Sequence, residues 1–248
     1  MSDLWICHDS VSSWMNPAVW NNYFRAVECL LGDRLWKLDE KDPLRRKADT
    51  SSGEDGAYVV QFKGKEDSRW LFAAFQKSKI SMQIRHYKAG RDSFGRVRNN
   101  SLSIYIPERW LSAESIRCLG ELFQLGNEML GSFYAYADLK DVICGKVPST
   151  GGSLDLSTEL LGVFWLTHFG PQYCDFFQRS RLMALPGAEA GPGAGITVQF
   201  AGAPQKVGPT VRSEAEAVLG EMCFTGYGRL KMPGQHAIKL EDLLNSPG

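Results

Sequence analysis

The stretch from Leu160 to Leu182 constrains this chain more than any other. Its first half, Leu160-Leu161-Gly162-Val163-Phe164-Trp165-Leu166-Thr167-His168-Phe169, is a short apolar run rich in β-formers and reads as a buried strand. Gly170-Pro171 turns the chain, and Pro171 suits a first helical position, where its missing N–H costs nothing. Tyr173, Phe176 and Phe177 then recur at helical spacing and give one apolar face. Pro186-Gly187 stops the unit. With almost no charge before Arg179, strand, corner and aromatic helix form a core motif in which Trp165, Phe169, Gly170, Pro171 and Tyr173 are packing residues.

Such a unit needs a large core around it, and 248 residues with seven Trp and thirteen Phe can supply one. The chain reads as a single domain over residues 1–248, with one candidate internal boundary in the Gly/Ser/Pro loop 147–155. Lys plus Arg and Asp plus Glu are 28 each, which argues against a protein built mainly to coat nucleic acid. The amino terminus has no basic n-region, and no apolar run approaches the roughly 18 residues of a membrane helix. A cytoplasmic location without membrane contact is expected. Six scattered cysteines without a CxxC pair read as free, buried thiols.

Around the core motif the pattern alternates between helix and strand. Trp5-Ile6-Cys7 reads as an edge strand, and Asn16-Pro17 opens a helix whose apolar stripe runs from Ala18 to Leu38. Residues 39–56 read as a loop and 57–62 as a strand. Trp70 to Phe75 suits strand or helix, while Ile80–Tyr87 and Leu102–Ile106 alternate as half-exposed strands do. Ser112 caps a second helix that Gly131 ends. Strands follow at 132–137 and 196–200, and a helix at 211–219. The sum is α+β, a largely antiparallel sheet with packed helices.

No reaction centre is legible. The histidines His8, His86, His168 and His236 form no HxH or HExxH, and there is no GxSxG or GxxxxGK[ST]. His168 reads as a hydrogen-bonded core histidine, and Gly191-Pro192-Gly193-Ala194-Gly195 as a connector. No catalytic residue, metal or cofactor is expected. One segment is strongly basic: Arg85, His86, Lys88, Arg91, Arg96 and Arg98, with Tyr87 and Phe94 interleaved. It suits a solvated hairpin, a protein partner, or single-stranded nucleic acid stacking on the aromatics. A dispersed active site built from distant carboxylates is the remaining enzymatic alternative.

The run Gly162-x-x-Trp165-x-x-x-Phe169-Gly170-Pro171-x-Tyr173, followed by Phe176-Phe177-x-Arg179-x-Arg181-Leu182-x-x-Leu185-Pro186, resembles a segment of the immunity protein 52 family. The strand at 196–200 and a helix closing on Leu219-Gly220-Glu221, with an aromatic at Phe224, continue the resemblance to about a quarter of the chain. Gln178-Arg179-Ser180 departs from the glycine-rich segment usual there. The resemblance implies an immunity protein that neutralises a cognate toxin by stoichiometric binding. Its partner would be a restriction-endonuclease-fold nuclease delivered by the type VI secretion system, and no direct nucleic-acid contact is implied. Against a basic toxin surface the candidate partner-binding residues are Asp39, Glu40, Glu54, Asp55, Glu66 and Asp67. Against an acidic one they are Arg91, Phe94, Arg96 and Arg98.

Overall fold

Asn16 accepts the amide of Ala18 and Pro17 occupies the first turn, so the first helix, α1 (Pro17–Leu31), starts where its sequence signals it. It ends earlier than the apolar stripe suggests. Gly32 takes φ 57°, and the chain re-enters the sheet as β2 (Leu35–Lys37). Two carboxylates hold this turn: Glu28 accepts the Leu35 amide at 2.7 Å, and Asp33 accepts the amides of Lys77 and Ser78. Asp33 is kept below the usual carboxylate range by those amides, against the opposing effect of burial.

The computed structural model describes residues 2–12, 14, 16–37, 63–65, 68–88, 90, 98–147, 155–156 and 159–225. Within them runs one antiparallel sheet. Its remaining strands are β1 (Leu4–Ser10), β3 (Lys63–Lys65), β4 (Ser68–Phe75), β5 (Ser81–Tyr87), β6 (Asn100–Ile106), β7 (Tyr134–Leu139), β8 (Leu166–Phe169), β9 (Ala188–Ala190) and β10 (Ile196–Gln199). The order is β2-β4-β5-β6-β1-β7-β8-β10-β9, with β3 also on β4. The architecture is thus α+β. The open choice at Trp70–Phe75 resolves to strand, and the strand expected at 57–62 lies outside the described residues.

β1 is the clearest correction. It is central, not an edge, paired with β6 on one side and β7 on the other, and it is buried on both faces. Leu4 and Ile6 join the core beneath α1 and α2 (Ala113–Leu130), while Cys7 joins the core on the opposite face. That second face carries α3 (Lys140–Lys146), α4 (Pro171–Phe176), α5 (Arg179–Met183) and α6 (Pro209–Leu219). The candidate boundary at 147–155 lies, apart from Val147 and Asp155, outside the described residues; β7 before it and β8 after it are paired neighbours.

The strand expected over the first half of the central motif forms only from Leu166. Upstream, backbone amides bind side chains instead of a neighbouring strand. Gly162 donates to the Tyr134 hydroxyl, Val163 to Glu216, Phe164 to Thr167 and Trp165 to Asp138. Each buried N–H is satisfied, so the segment stays in the core without a ladder.

Candidate functional site

Polar side chains gather in three places among the described residues, two of them buried. The first holds the central motif. Arg212 donates to Asp138 through both Nε (2.8 Å) and Nη2 (3.0 Å), and its Nη1 donates to the Val207 carbonyl. Lys146 donates to both Glu216 oxygens, at 3.0 and 2.7 Å. Asp138 and Glu216 are fully buried. Around them Trp165, Phe169 and Tyr173 are fully buried, and Tyr173 donates to the Leu156 carbonyl at 2.6 Å. Gly170 passes so close to Phe133 that a Cβ would stand 2.8 Å from the Phe133 Cα. These contacts are structural: each charge is consumed by a fixed partner.

The second is a row on the opposite face. Pairing places His8 beside Ala135, Ala135 beside His168, His168 beside Thr197 and Thr197 beside Glu189. His8 Nδ1 lies 3.1 Å from Asn127 Oδ1 and 3.2 Å from Ser132 Oγ, and His168 Nδ1 lies 3.1 Å from Thr197 Oγ1. Since a carboxamide oxygen only accepts, the His8 proton sits on Nδ1. Burial pushes His8 down to about 3 and His168 down to about 4, so both are neutral. Glycines seal them in. A Cβ on Gly126 would stand 2.5 Å from His8, and one on Gly195 would stand 2.4 Å from His168. Across the sheet Cys7 is pushed by burial up to about 12, which leaves no thiolate nucleophile.

The third opens to solvent. A cleft of ≈ 610 Å³ lies between the flank of α2 and the β10–β9 end of the sheet. Leu166 and Gln199 line it from the sheet, and Gly202 from the following turn. From α2 come Arg117, Gly120, Glu121, Gln124, Leu125 and Glu128; Glu189 completes the acidic rim. Arg117 pairs with Glu121 at 3.7 Å, with its side chain 88% exposed. Gln124 Oε1 is buried with no hydrogen-bond partner. Apolar lining with an acidic, acceptor-rich rim suits a cationic side chain. Sequence reading passed over these residues. The only local signal was Gly120, a glycine in the interior of an otherwise well-patterned helix.

The partner-binding residues inferred from sequence fall elsewhere. Asp39, Glu40, Glu54, Asp55, Glu66, Asp67, Arg91, Phe94 and Arg96 lie outside the described residues. Arg98 is half-buried, its amide donating to Gly90 at 2.9 Å. From the same basic segment, Arg85 is exposed opposite Trp70, and His86 is lowered by burial and by Arg69. All six cysteines are free, but only Cys7, Cys174 and Cys223 are buried; Cys29 and Cys144 are exposed. Among the described residues no group of His, Cys, Asp and Glu could hold a metal, and no helix is long and apolar enough to cross a membrane.

No family model and no curated protein matches the chain. Among solved structures its fold is similar to that of Pseudomonas aeruginosa T6SS protein PA0821, with a TM-score of 0.56. The likeness covers 96% of this chain and 80% of that one at 14% sequence identity. It shows a shared fold.

Proposed function

We propose that this chain is an immunity protein: it binds a cognate bacterial toxin, a T6SS-delivered nuclease, and neutralises it in the cytoplasm by stoichiometric inhibition. The observation that carries the reading is the likeness to a T6SS protein over 96% of the chain. The immunity role itself comes from the segment Gly162 to Pro186, whose residues resemble the immunity protein 52 family although no family model matches the chain. The chemistry is compatible with a binder that performs no reaction. The buried imidazoles are neutral, the Cys7 thiol is protonated, and the buried carboxylates Asp138 and Glu216 are held in ion pairs. Inhibition then depends on affinity, and an interface of ordinary size buries about 1,600 Å² in total.

The test is co-expression with the product of the adjacent open reading frame in a bacterial host. Restored growth together with a co-purifying 1:1 complex is the expected result. Toxicity that persists at equal expression, with no complex by size-exclusion chromatography, would overturn the reading.

A further inference from the structure

We infer that the cleft between α2 and the β10–β9 end of the sheet seats an arginine side chain presented by a protein partner. The starting point is a contrast within one helix. Gly126 has a structural reason, since a Cβ there would collide with His8. Gly120 has none: a Cβ there would meet nothing within 4 Å. Glycine inside a helix costs stability relative to alanine, so α2 is weakened at Gly120 without any packing return from the described chain. Gly202, facing it across the cleft, is equally open, with nothing within 4 Å of a Cβ. Paired glycines without a packing role keep a space clear, and close approach by another group is one of the reasons for glycine.

The lining specifies what that group is. Ile116 and Leu125, both only partly buried, offer apolar surface for an aliphatic stem, as long basic side chains require. Glu128 and Glu189 offer carboxylates for its head. Gln124 lines the wall of α2 beside them. The one cation of the lining, Arg117, already pairs with Glu121 and projects into solvent. Two carboxylates on the rim of one cleft match a guanidinium, with five donors in a planar fork, better than an ammonium. Arginine is also among the residues enriched at interface hot spots. That the partner is a toxin rests on the function proposed above; the cleft chemistry does not.

Two measurements on the full chain test this. The first is an NMR titration with N-acetyl-arginine amide, beside the norleucine analogue. Saturable shifts centred on Gly120, Gln124 and Gly202 with the arginine probe alone are expected, and Glu189→Gln should weaken them severalfold. The second uses Gly120→Leu, which fills the cleft, beside Gly145→Leu, another helix glycine with an open Cβ. Gly120→Leu should melt no lower than the parent yet bind the toxin about tenfold more weakly, while Gly145→Leu should bind as the parent does. Unsaturable or dispersed shifts, or parental affinity in Gly120→Leu, overturn the inference. If no toxin complex forms with the parent chain, the proposed function fails and the arginine titration alone decides the cleft.

Discussion

Arg212 donates three hydrogen bonds, two to one carboxylate and one to a carbonyl, and nothing in its local sequence announces it. It sits on the buried side of α6, 6% exposed, with both Nε and Nη2 on Asp138. Asp138 in turn accepts the amides of Leu139 and Trp165. Truncating the arginine leaves a buried carboxylate without its counter-charge. Arg212→Ala should therefore lose about 3–5 kcal/mol in urea denaturation, and Arg212→Lys should recover only part of it, because one ammonium cannot replace the fork. Gly126 gives a second residue-scale prediction. Gly126→Ala places a methyl 2.5 Å from the His8 ring and should cost about 1–3 kcal/mol by overpacking. Combined with His8→Ala the two losses should fall well short of additive, since the clash disappears with the ring. Strict additivity would mean that the imidazole does not press on α2.

At the scale of elements, what was legible in the sequence was what is decided locally. Ser112 and Gly131 bound α2 because a cap needs only its own turn: Ser112 accepts the Ser115 amide, and Gly131 takes φ 58°. The alternation of β5 and β6 was readable because one face of each is buried and the other only partly. What was not readable depends on distant residues. The segment Gly162–Trp165 looks like a strand, but the amides of Gly162, Val163 and Trp165 are claimed by Tyr134, Glu216 and Asp138, which no window around it contains. The cleft is equally non-local, since α2 (Ala113–Leu130) and β9 (Ala188–Ala190), far apart in the chain, meet there. Trp165 joins both kinds of constraint. It is fully buried, its indole donates to the Ala201 carbonyl at 2.7 Å, and its amide is held by Asp138. Trp165→Ala should destabilise the fold by about 3–5 kcal/mol. A variant that keeps the parental denaturation midpoint would show that this corner does not anchor β8.

For the whole molecule, the buried titratable groups on the two faces of β1 pull stability in opposite directions with pH. His8 and His168 lie on one face with values lowered by burial to about 3 and about 4. Between those values and the ordinary histidine value near 6.5, the unfolded chain binds two protons that the folded chain does not. Their contribution is complete above about pH 6.5 and is lost as pH falls. Asp9, on the other face, runs the other way. Burial raises it to about 7, with Asn99 donating to it at 2.5 Å, so between its ordinary value and about 7 the folded chain holds the extra proton. Its contribution is present at low pH and is lost as pH rises. From about pH 4.5 to 6 these three groups leave the unfolded chain one proton ahead, two less one, and contribute a rise in stability of about 1.4 kcal/mol per pH unit; His86, lowered, adds to the rise and Asp138, raised, opposes it. Asp9→Asn keeps the acceptor for Asn99 but removes the titration, so the slope should steepen by about 1.4 kcal/mol per unit. Urea titrations across that range, in parent and variant, measure both slopes. A parental slope near zero would mean that the histidines are protonated in the folded chain, and an unchanged slope in the variant would mean that Asp9 is ionised there.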